Sequence, residues 1–427
     1  MLVFPEYGVT GFMDGPKMTR ESVYPFFESL PNWFNGTCDI DCSIPIVEGR
    51  EIQHAVACMA KKYNMYITAN FIEARYCEVL QDHHCPYDNH YLFNTNAVFN
   101  PKGCLQAKYY KTHTVEEEPE RLNKPLKPDY VYFDIPEYGR FGTATCADGI
   151  FRDPVVDLVE KYKIDHLIYP MAWHNNFTHT WSVSTGWQLA VAARYNISVI
   201  ASNLHDPKYY YQGSGIYHSL TALNVTYNNE QTTSTLITAD LPIPNKYRGK
   251  VTPPRKVNPS LLKPKYLLGR SSPKPDGQVT IYNDVYNAVI LTGLSGSISV
   301  CHNEFCCALN YSRNSTEDLY ILAAFKGLHT RRDILKLENC IVNKCPGKDL
   351  KSCNERQDMH SSKTRFNGFQ MGAVFSTEYV YPSVLPLNYA YLSYKWQFDR
   401  RTNLQNFVSS YSETPFVAVS LVGRVFD

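Results

Sequence analysis

Apolar positions follow two rhythms in the first 240 residues and mainly one beyond them. Residues 49–63, GREIQHAVACMAKKY, put Ile52, Ala55, Val56 and Met59 on one helical face. The opening MLVFPE reads as the end of a buried strand, and MYITANF (65–71) as another. Residues 91–111 predict two strands joined at the turn Asn100–Gly103. YVYFDIP and RFGTATC predict a second pair, joined at Glu137–Gly139. Asp153 and Pro154 then suit a helix start, with Asp at the N-cap and Pro at the first helical position. Val155, Val156, Leu158, Val159 and Tyr162 give that helix its apolar face. DHLIYPMAW reads as a buried strand, 180–195 as a helix and 197–204 as a strand.

Strands alternating with helices predict α/β layers over residues 1–240. Residues 241–275 are rich in Pro and Lys and read as a linker. Residues 276–427 hold short Tyr- and Val-rich segments with few helical patterns, which predicts a second, mainly β domain.

Charge and hydropathy remove several function classes. The formal net charge is +1 and no Lys/Arg stripe is clustered, so there is no electrostatic footprint for nucleic acid. No run of about 18 apolar residues exists to form a transmembrane segment. Thirteen cysteines are many for a reduced cytosolic enzyme. They fall as six (Cys38, Cys42, Cys58, Cys77, Cys85, Cys104), one (Cys146) and six (Cys301, Cys306, Cys307, Cys340, Cys345, Cys353). Each group of six can close three bridges in several ways, which leaves Cys146 as the expected free thiol. Glycosylation sequons begin at Asn35, Asn176, Asn196, Asn224, Asn310 and Asn314. Bridges and sequons together predict a secreted protein. The start MLVFPEYG has no room for a signal peptide, so the natural chain is expected to extend upstream. His83-His84-Cys85 and the CHNEFCC cluster lack the paired C-x-x-C spacing of strong zinc sites, so no metal ligands are assigned.

Chemistry enters at GRFGTATCADGIFRDP (139–154). Cys146 stands where a strand turns into a helix. Such a corner exposes a nucleophile and frees the next N–H, on Ala147, for an oxyanion. Glu6 follows the strand LVFP, and Lys111 ends the strand LQAKYYK. Each of these residues ends a strand of the same α/β unit, in the order Glu, Lys, Cys.

That order, with FPE, YYK and TC-x-D-xx-F-x-DP, resembles the nitrilase (carbon–nitrogen hydrolase) superfamily. GRFGTATCADGIFRDPVVDLV, YPMAW, ASNLH and GSGIY resemble its vanin and biotinidase branch. SVCHNEFCCALNY, LAAFKGLHT and the spacing Cys340…Cys345…Cys353 resemble that branch's C-terminal base domain. The resemblance implies an αββα layered sandwich, here without the family's first strand and helix, followed by a β-rich base domain. It implies Cys146 as nucleophile, Glu6 as general base and Lys111 with the Ala147 N–H as oxyanion partners. A second glutamate orients the lysine in such enzymes; among Glu116, Glu117 and Glu118, the expectation is Glu118. The implied substrate is a small-molecule amide of the pantetheine kind, with no cofactor. A biotinyl amide is the nearest rival, and an idle ligand-binding relative is another. Lys111 favours the Cys146 thiolate and ionised Glu6 opposes it, so sequence leaves the direction of its pKa open. Some vanins carry a lipid-anchor signal, and VAVSLVGRVFD at the end of this chain has no such hydrophobic tail.

Overall fold

The structure is a computed structural model. It is described for residues 1–11, 19–31, 41–43, 49–115, 118–175, 183–227, 234–244, 274–330, 334–354, 362–387, 396–400, 405–410 and 415–426. The first sheet contains β1 (Leu2–Val3), β2 (Phe27–Glu28), β3 (Ile67–Tyr76), β4 (His90–Phe99) and β5 (Leu105–Tyr110). Its order is β1-β3-β4-β5, with β2 also paired to β3. The strand expected at 65–71 runs on to Tyr76, through the charged residues Glu73 and Arg75. Tertiary partners explain this. Glu73 is buried against Lys108 at 2.7 Å, and the Arg75 guanidinium lies 5.3 Å from the Tyr91 ring centre.

One face of this sheet is covered by α1 (Glu51–Tyr63), through Val56, Ala57 and Ala60 against Ile67, Ala69, Phe71 and Phe99. The Glu28 carboxylate accepts hydrogen bonds from the N–H groups of Ile52 and Gln53. It thereby places a negative charge at the positive end of the helix. Asn64 closes α1 in the left-handed conformation, at φ +50°.

The other face meets a second sheet, with Val98 and Ala107 packed on Phe133, Phe141 and Ile168. That sheet runs β6 (Tyr132–Ile135), β7 (Gly139–Thr143), β8 (His166–Met171), β9 (Ser198–Asn203), β10 (Ser214–His218) and β11 (Thr221–Thr226), in sequence order. Its core β7-β8-β9 is parallel. The one-turn α2 (Glu118–Arg121) follows β5, while α3 (Val155–Glu160) and α4 (Ser184–Tyr195) belong to the second sheet. The layers are therefore αββα.

Two helix starts differ from expectation. Pro154 itself occupies the N-cap of α3 and no side chain caps that helix. Asp153 instead accepts the Tyr130 hydroxyl at 2.7 Å, so a tertiary partner takes the carboxylate. Helix α4 begins at Ser184 rather than 180, and residues 176–182 lie outside the described residues.

The C-terminal part is two antiparallel sheets. One contains β12 (Gly277–Ile281), β13 (Asp284–Ile290), β16 (Tyr320–His329), β17 (Leu335–Lys344), β22 (Phe416–Val425) and β19 (Val380–Pro386). The other contains β14 (Ser295–His302), β15 (Phe305–Arg313), β18 (Phe366–Val374), β21 (Gln405–Ser410) and β20 (Gln397–Arg400). Residues 245–273, most of the expected linker, lie outside the described residues. Among the described residues no helix is long and apolar enough to cross a membrane.

Five bridges are described: Cys42–Cys58, Cys77–Cys85, Cys301–Cys306, Cys307–Cys340 and Cys345–Cys353. Each stays inside its own group of six. Cys104 is also disulfide-bonded, and Cys38 lies outside the described residues.

A single hydrophobic cluster runs from α4 into the C-terminal sheets. The fully buried Trp187 packs on Tyr381 of β19 with ring centres 4.9 Å apart, and the Tyr381 and Tyr195 hydroxyls meet at 2.7 Å. Because the core is shared, calorimetry should show both parts unfolding in one transition. Trp187→Ala should lower stability by about 3–5 kcal/mol and keep that transition single. Two resolved transitions in the unaltered protein would show that the parts hold themselves independently.

Candidate active site

Three strand ends converge. Glu6 follows β1, Lys111 follows β5, and Cys146 opens a 3-10 turn (Cys146–Ile150) just after β7. The Lys111 ammonium lies 2.7 Å from Glu6 Oε1 and 2.7 Å from Glu118 Oε2. Glu118, the first residue of α2, is thus brought to the lysine, while Glu116 and Glu117 lie outside the described residues. Glu118 Oε2 also accepts the Val115 N–H at 2.9 Å, which ties the carboxylate to its own loop. The second Glu6 oxygen accepts the Ala172 N–H at 2.8 Å, from the end of β8. Glu6 is 1% exposed, Lys111 2% and Cys146 6%. Cys146 is the free cysteine of the described residues.

Burial at this density decides the protonation pattern. Burial alone would strip Lys111 of its charge, but Glu118 and Glu6 outweigh it and hold the ammonium well above its ordinary pKa. Burial also opposes ionisation of Glu118, yet Lys111 and the donors around that carboxylate win and keep it below its ordinary value. Glu6 goes the other way. Burial raises it, and Lys111 does not fully compensate because Glu118 adds a like charge. Burial, reinforced by Glu6, pushes the Cys146 thiol well above its ordinary range, against the pull of Lys111. The resting arrangement is therefore a neutral thiol, a fixed cation, an ionised Glu118 and a carboxyl at Glu6 of raised proton affinity. Such a set can pass one proton between sulfur and Glu6 while a cation waits for developing negative charge.

The Cys146 corner is strained. Cys146 has φ +46°, and Tyr7, beside Glu6, has φ +58°. A non-glycine residue there costs on the order of 1–2 kcal/mol and persists only when its surroundings fix it. Several contacts fix Cys146. Asp148 Oδ2 accepts the Thr145 N–H at 2.9 Å and the Tyr109 hydroxyl at 2.6 Å, while Oδ1 accepts the His113 N–H at 2.9 Å. One carboxyl thereby links the Cys146 turn to the loop after Lys111. Burial raises Asp148 to about 7. The Tyr169 hydroxyl donates to the Cys146 carbonyl. Gly149 is required by space: a Cβ there would lie 2.2 Å from that hydroxyl. Ala147 is the second residue of the turn, so its N–H has no partner one turn back inside it.

Sequence reasoning missed a set of buried amides. Asn94 Nδ2 reaches Glu6 Oε1 at 2.7 Å, and Tyr7 Oη and Glu118 Oε1 at 3.1 Å each. The Tyr7 hydroxyl donates to Glu118. Asn70 accepts the Tyr7 N–H at 2.9 Å and donates to Asn94 and Asn96; Asn96 reaches Thr143 Oγ1 at 2.9 Å. This lattice connects the Glu6 corner to the end of β7. Its signal was present: Asn94 and Asn96 alternate inside an apolar strand, where buried polar groups require partners.

The other expected positions are scattered. Asn196 and Asn314 are exposed, Asn224 and Asn310 are partly buried, and Asn35 and Asn176 lie outside the described residues. The sulfurs of Cys85, Cys301, Cys306 and Cys307 are all bridged. Asp82, His83 and His84 bring ligand atoms within 4.8 Å of one another on a surface loop far from this cluster in sequence.

Family models and similar sequences agree on ancestry. A carbon–nitrogen hydrolase family model matches residues 1–245, and a vanin C-terminal domain model matches residues 278–427. The pantetheinase of Homo sapiens is 30% identical over 434 residues, covering 100% of this chain and 80% of its own length. The pantetheinase of Mus musculus is 31% identical over 401 residues, 90% of this chain and 72% of its own. The biotinidase of Takifugu rubripes is 30% identical over 401 residues, 90% of this chain and 76% of its own. Among solved structures, Saccharomyces cerevisiae Nit3, from branch 10 of the nitrilase superfamily, aligns with TM-score 0.38 and 17% identity over 60% of this chain and 81% of that one. With a family model spanning more than half of its length and relatives about 30% identical over 90–100% of it, the chain belongs to the carbon–nitrogen hydrolase (nitrilase) superfamily, as an amidase of its vanin and biotinidase branch.

Proposed function

We propose that this protein is an extracellular thiol amidase that hydrolyses a pantetheine-like amide to pantothenate and cysteamine. The observation that carries the reading is Lys111, buried at 2.7 Å from both Glu6 and Glu118 beside the free thiol of Cys146. Likeness to pantetheinases over the whole of this chain supports the substrate class. Biotinidases match at a similar identity, so a biotinyl amide is the second reading. Bridged cysteines and exposed sequons at Asn196 and Asn314 support the extracellular assignment and glycosylation. We assign the chemistry to residues 1–240, with 276–427 as the base domain and 241–275 as the link between them.

The proposed steps follow from the protonation pattern. Glu6 removes the thiol proton as Cys146 Sγ attacks the amide carbon. The oxyanion forms beside the Lys111 ammonium and the Ala147 N–H. As the C–N bond breaks, Glu6 delivers its proton to the leaving amine. A thioester remains. Water attacks it with Glu6 again as base, and the acid leaves as sulfur recovers its proton. Glu118 keeps Lys111 charged and aimed.

Mass spectrometry of products after incubation with pantetheine and with biocytin tests the substrate. Pantothenate and cysteamine are expected; cleavage of biocytin alone would move the assignment to biotinyl amides. Cys146→Ala and Glu6→Gln should each lower kcat/KM by about 10³-fold or more, and the double variant should lose no more than the worse single one. Lys111→Met should do the same and also lower stability, because it leaves two buried carboxylates unpaired. Near-full activity in Glu6→Gln would remove the base assignment.

The pH profile provides a separate check. Glu6 must be ionised to accept the thiol proton, so kcat/KM should rise with pH through a value above the ordinary carboxylate range. Glu118 raises Glu6 by its charge, so Glu118→Gln should move this acid limb to lower pH. An acid limb that stays in place would mean that another group titrates there.

A further inference from the structure

The C-terminal domain reaches the nucleophile turn through one buried arginine. Arg424, near the end of β22, is 4% exposed. Its Nε donates to the Ile150 carbonyl at 2.8 Å, and its Nη1 donates to the Lys336 carbonyl at 3.0 Å. Ile150 is the last residue of the 3-10 turn that Cys146 opens. The last carbonyls of a helical turn have no partner inside it and carry partial negative charge, so a guanidinium is a fitting cap. The arginine is itself held on both sides, since its N–H donates to Tyr379 at 2.9 Å and its carbonyl accepts the Thr377 hydroxyl at 2.8 Å.

The same domain supports the turn a second way. Trp187 and Tyr169 pack against Gly149 so closely that a Cβ there would lie 3.1 Å from Trp187 Nε1. Trp187 in turn rests on Tyr381 of β19. Cys146, at φ +46°, keeps its conformation only while its surroundings impose it. The catalytic layers hold one end of the turn, through Asp148 and Tyr169. The other end is held by Arg424.

We infer that Arg424 is a positioning residue for the Cys146 nucleophile, so that the C-terminal domain is a working part of the active site. The inference rests on Cys146 being the nucleophile. The bond from Arg424 Nε ends on the Ile150 carbonyl, so its effect on Cys146 passes through the backbone of residues 146–150. Loss of the cap lets the strained corner relax and moves sulfur away from its reacting position. Substrate contacts are untouched, so the loss falls on kcat and spares KM.

The test uses the full chain with Arg424→Met, Arg424→Lys and a control, Arg313→Met. Arg313 is equally buried in the C-terminal domain but donates to Leu291 and Gly293 of its own domain. Two readouts are taken well below each unfolding midpoint: steady-state amide hydrolysis, and the rate of iodoacetamide labelling at the Cys146 peptide. Arg424→Met should lower kcat by about tenfold or more, the rate equivalent of one lost charge-assisted hydrogen bond, with KM within about twofold. Its labelling rate should depart from the wild-type rate by a similar factor. Arg424→Lys, which keeps a charged donor for Ile150, should recover part of both. Arg313→Met should lower the melting temperature yet leave kcat and labelling near wild type. Wild-type labelling in Arg424→Met, or an equal loss in Arg313→Met, would overturn the inference. If Arg424→Met does not fold, Arg424→Lys is judged against Arg313→Met by the same criteria. Labelling reports the thiol without any substrate, so failure to cleave pantetheine would count against the substrate reading alone.

Discussion

A lysine ammonium with almost no access to water organises this protein. Lys111 can stay charged only because Glu6 and Glu118 each stand 2.7 Å away. Burying one charge is expensive and burying it unpaired is prohibitive. The three segments that supply these groups, after β1, after β5 and in α2, are therefore bound to one point. Two carboxylates on one cation leave a local excess of negative charge. Burial raises the proton affinity of Glu6 and keeps the neighbouring thiol neutral at rest, and that excess of negative charge reinforces both. The reactivity proposed for Cys146 arises from burial and this imbalance together. A thiolate already formed would have no need of a base.

Around the cation lies a lattice of side-chain amides rather than apolar packing. Asn70, Asn94 and Asn96 are each 1% exposed or less and donate into one another, into Glu6 and into Thr143. Fixed dipoles of this kind do the work of solvent without its mobility. They also connect two backbone corners, Tyr7 and Cys146, that both sit at positive φ. Strain at both ends of one hydrogen-bonded lattice means that neither corner relaxes alone.

The two halves of the chain share one core, and the sharing is local to chemistry. The helix α4 carries Trp187, which packs against Gly149 of the Cys146 turn on one side and Tyr381 on the other. Disulfides hold the C-terminal sheets within themselves, with Cys307–Cys340 joining β15 to β17 across them. A stiff scaffold behind α4 and β22 turns side-chain contacts into positional constraints on residues 146–150.

Sequence alone determined the layering, because a period of two or 3.6 is a property of neighbouring residues. It also placed Glu6, Lys111 and Cys146 at strand ends, and it isolated Cys146, because counting cysteines needs no geometry. Its failures share a cause. The strand end at Tyr76 depends on Lys108 and Tyr91, and the start of α3 on Tyr130 taking Asp153. The choice of Glu118 was made on resemblance; the structure supplies the 2.7 Å contact that no spacing contains. The direction of the Cys146 shift was left open because it turns on burial and on Glu6 outweighing Lys111, both set by packing. Arg424 and Ile150 are 274 positions apart and meet at 2.8 Å. Local pattern sets which elements form. Which buried charges find partners, and therefore which groups hold protons, is decided only when those elements close on one another.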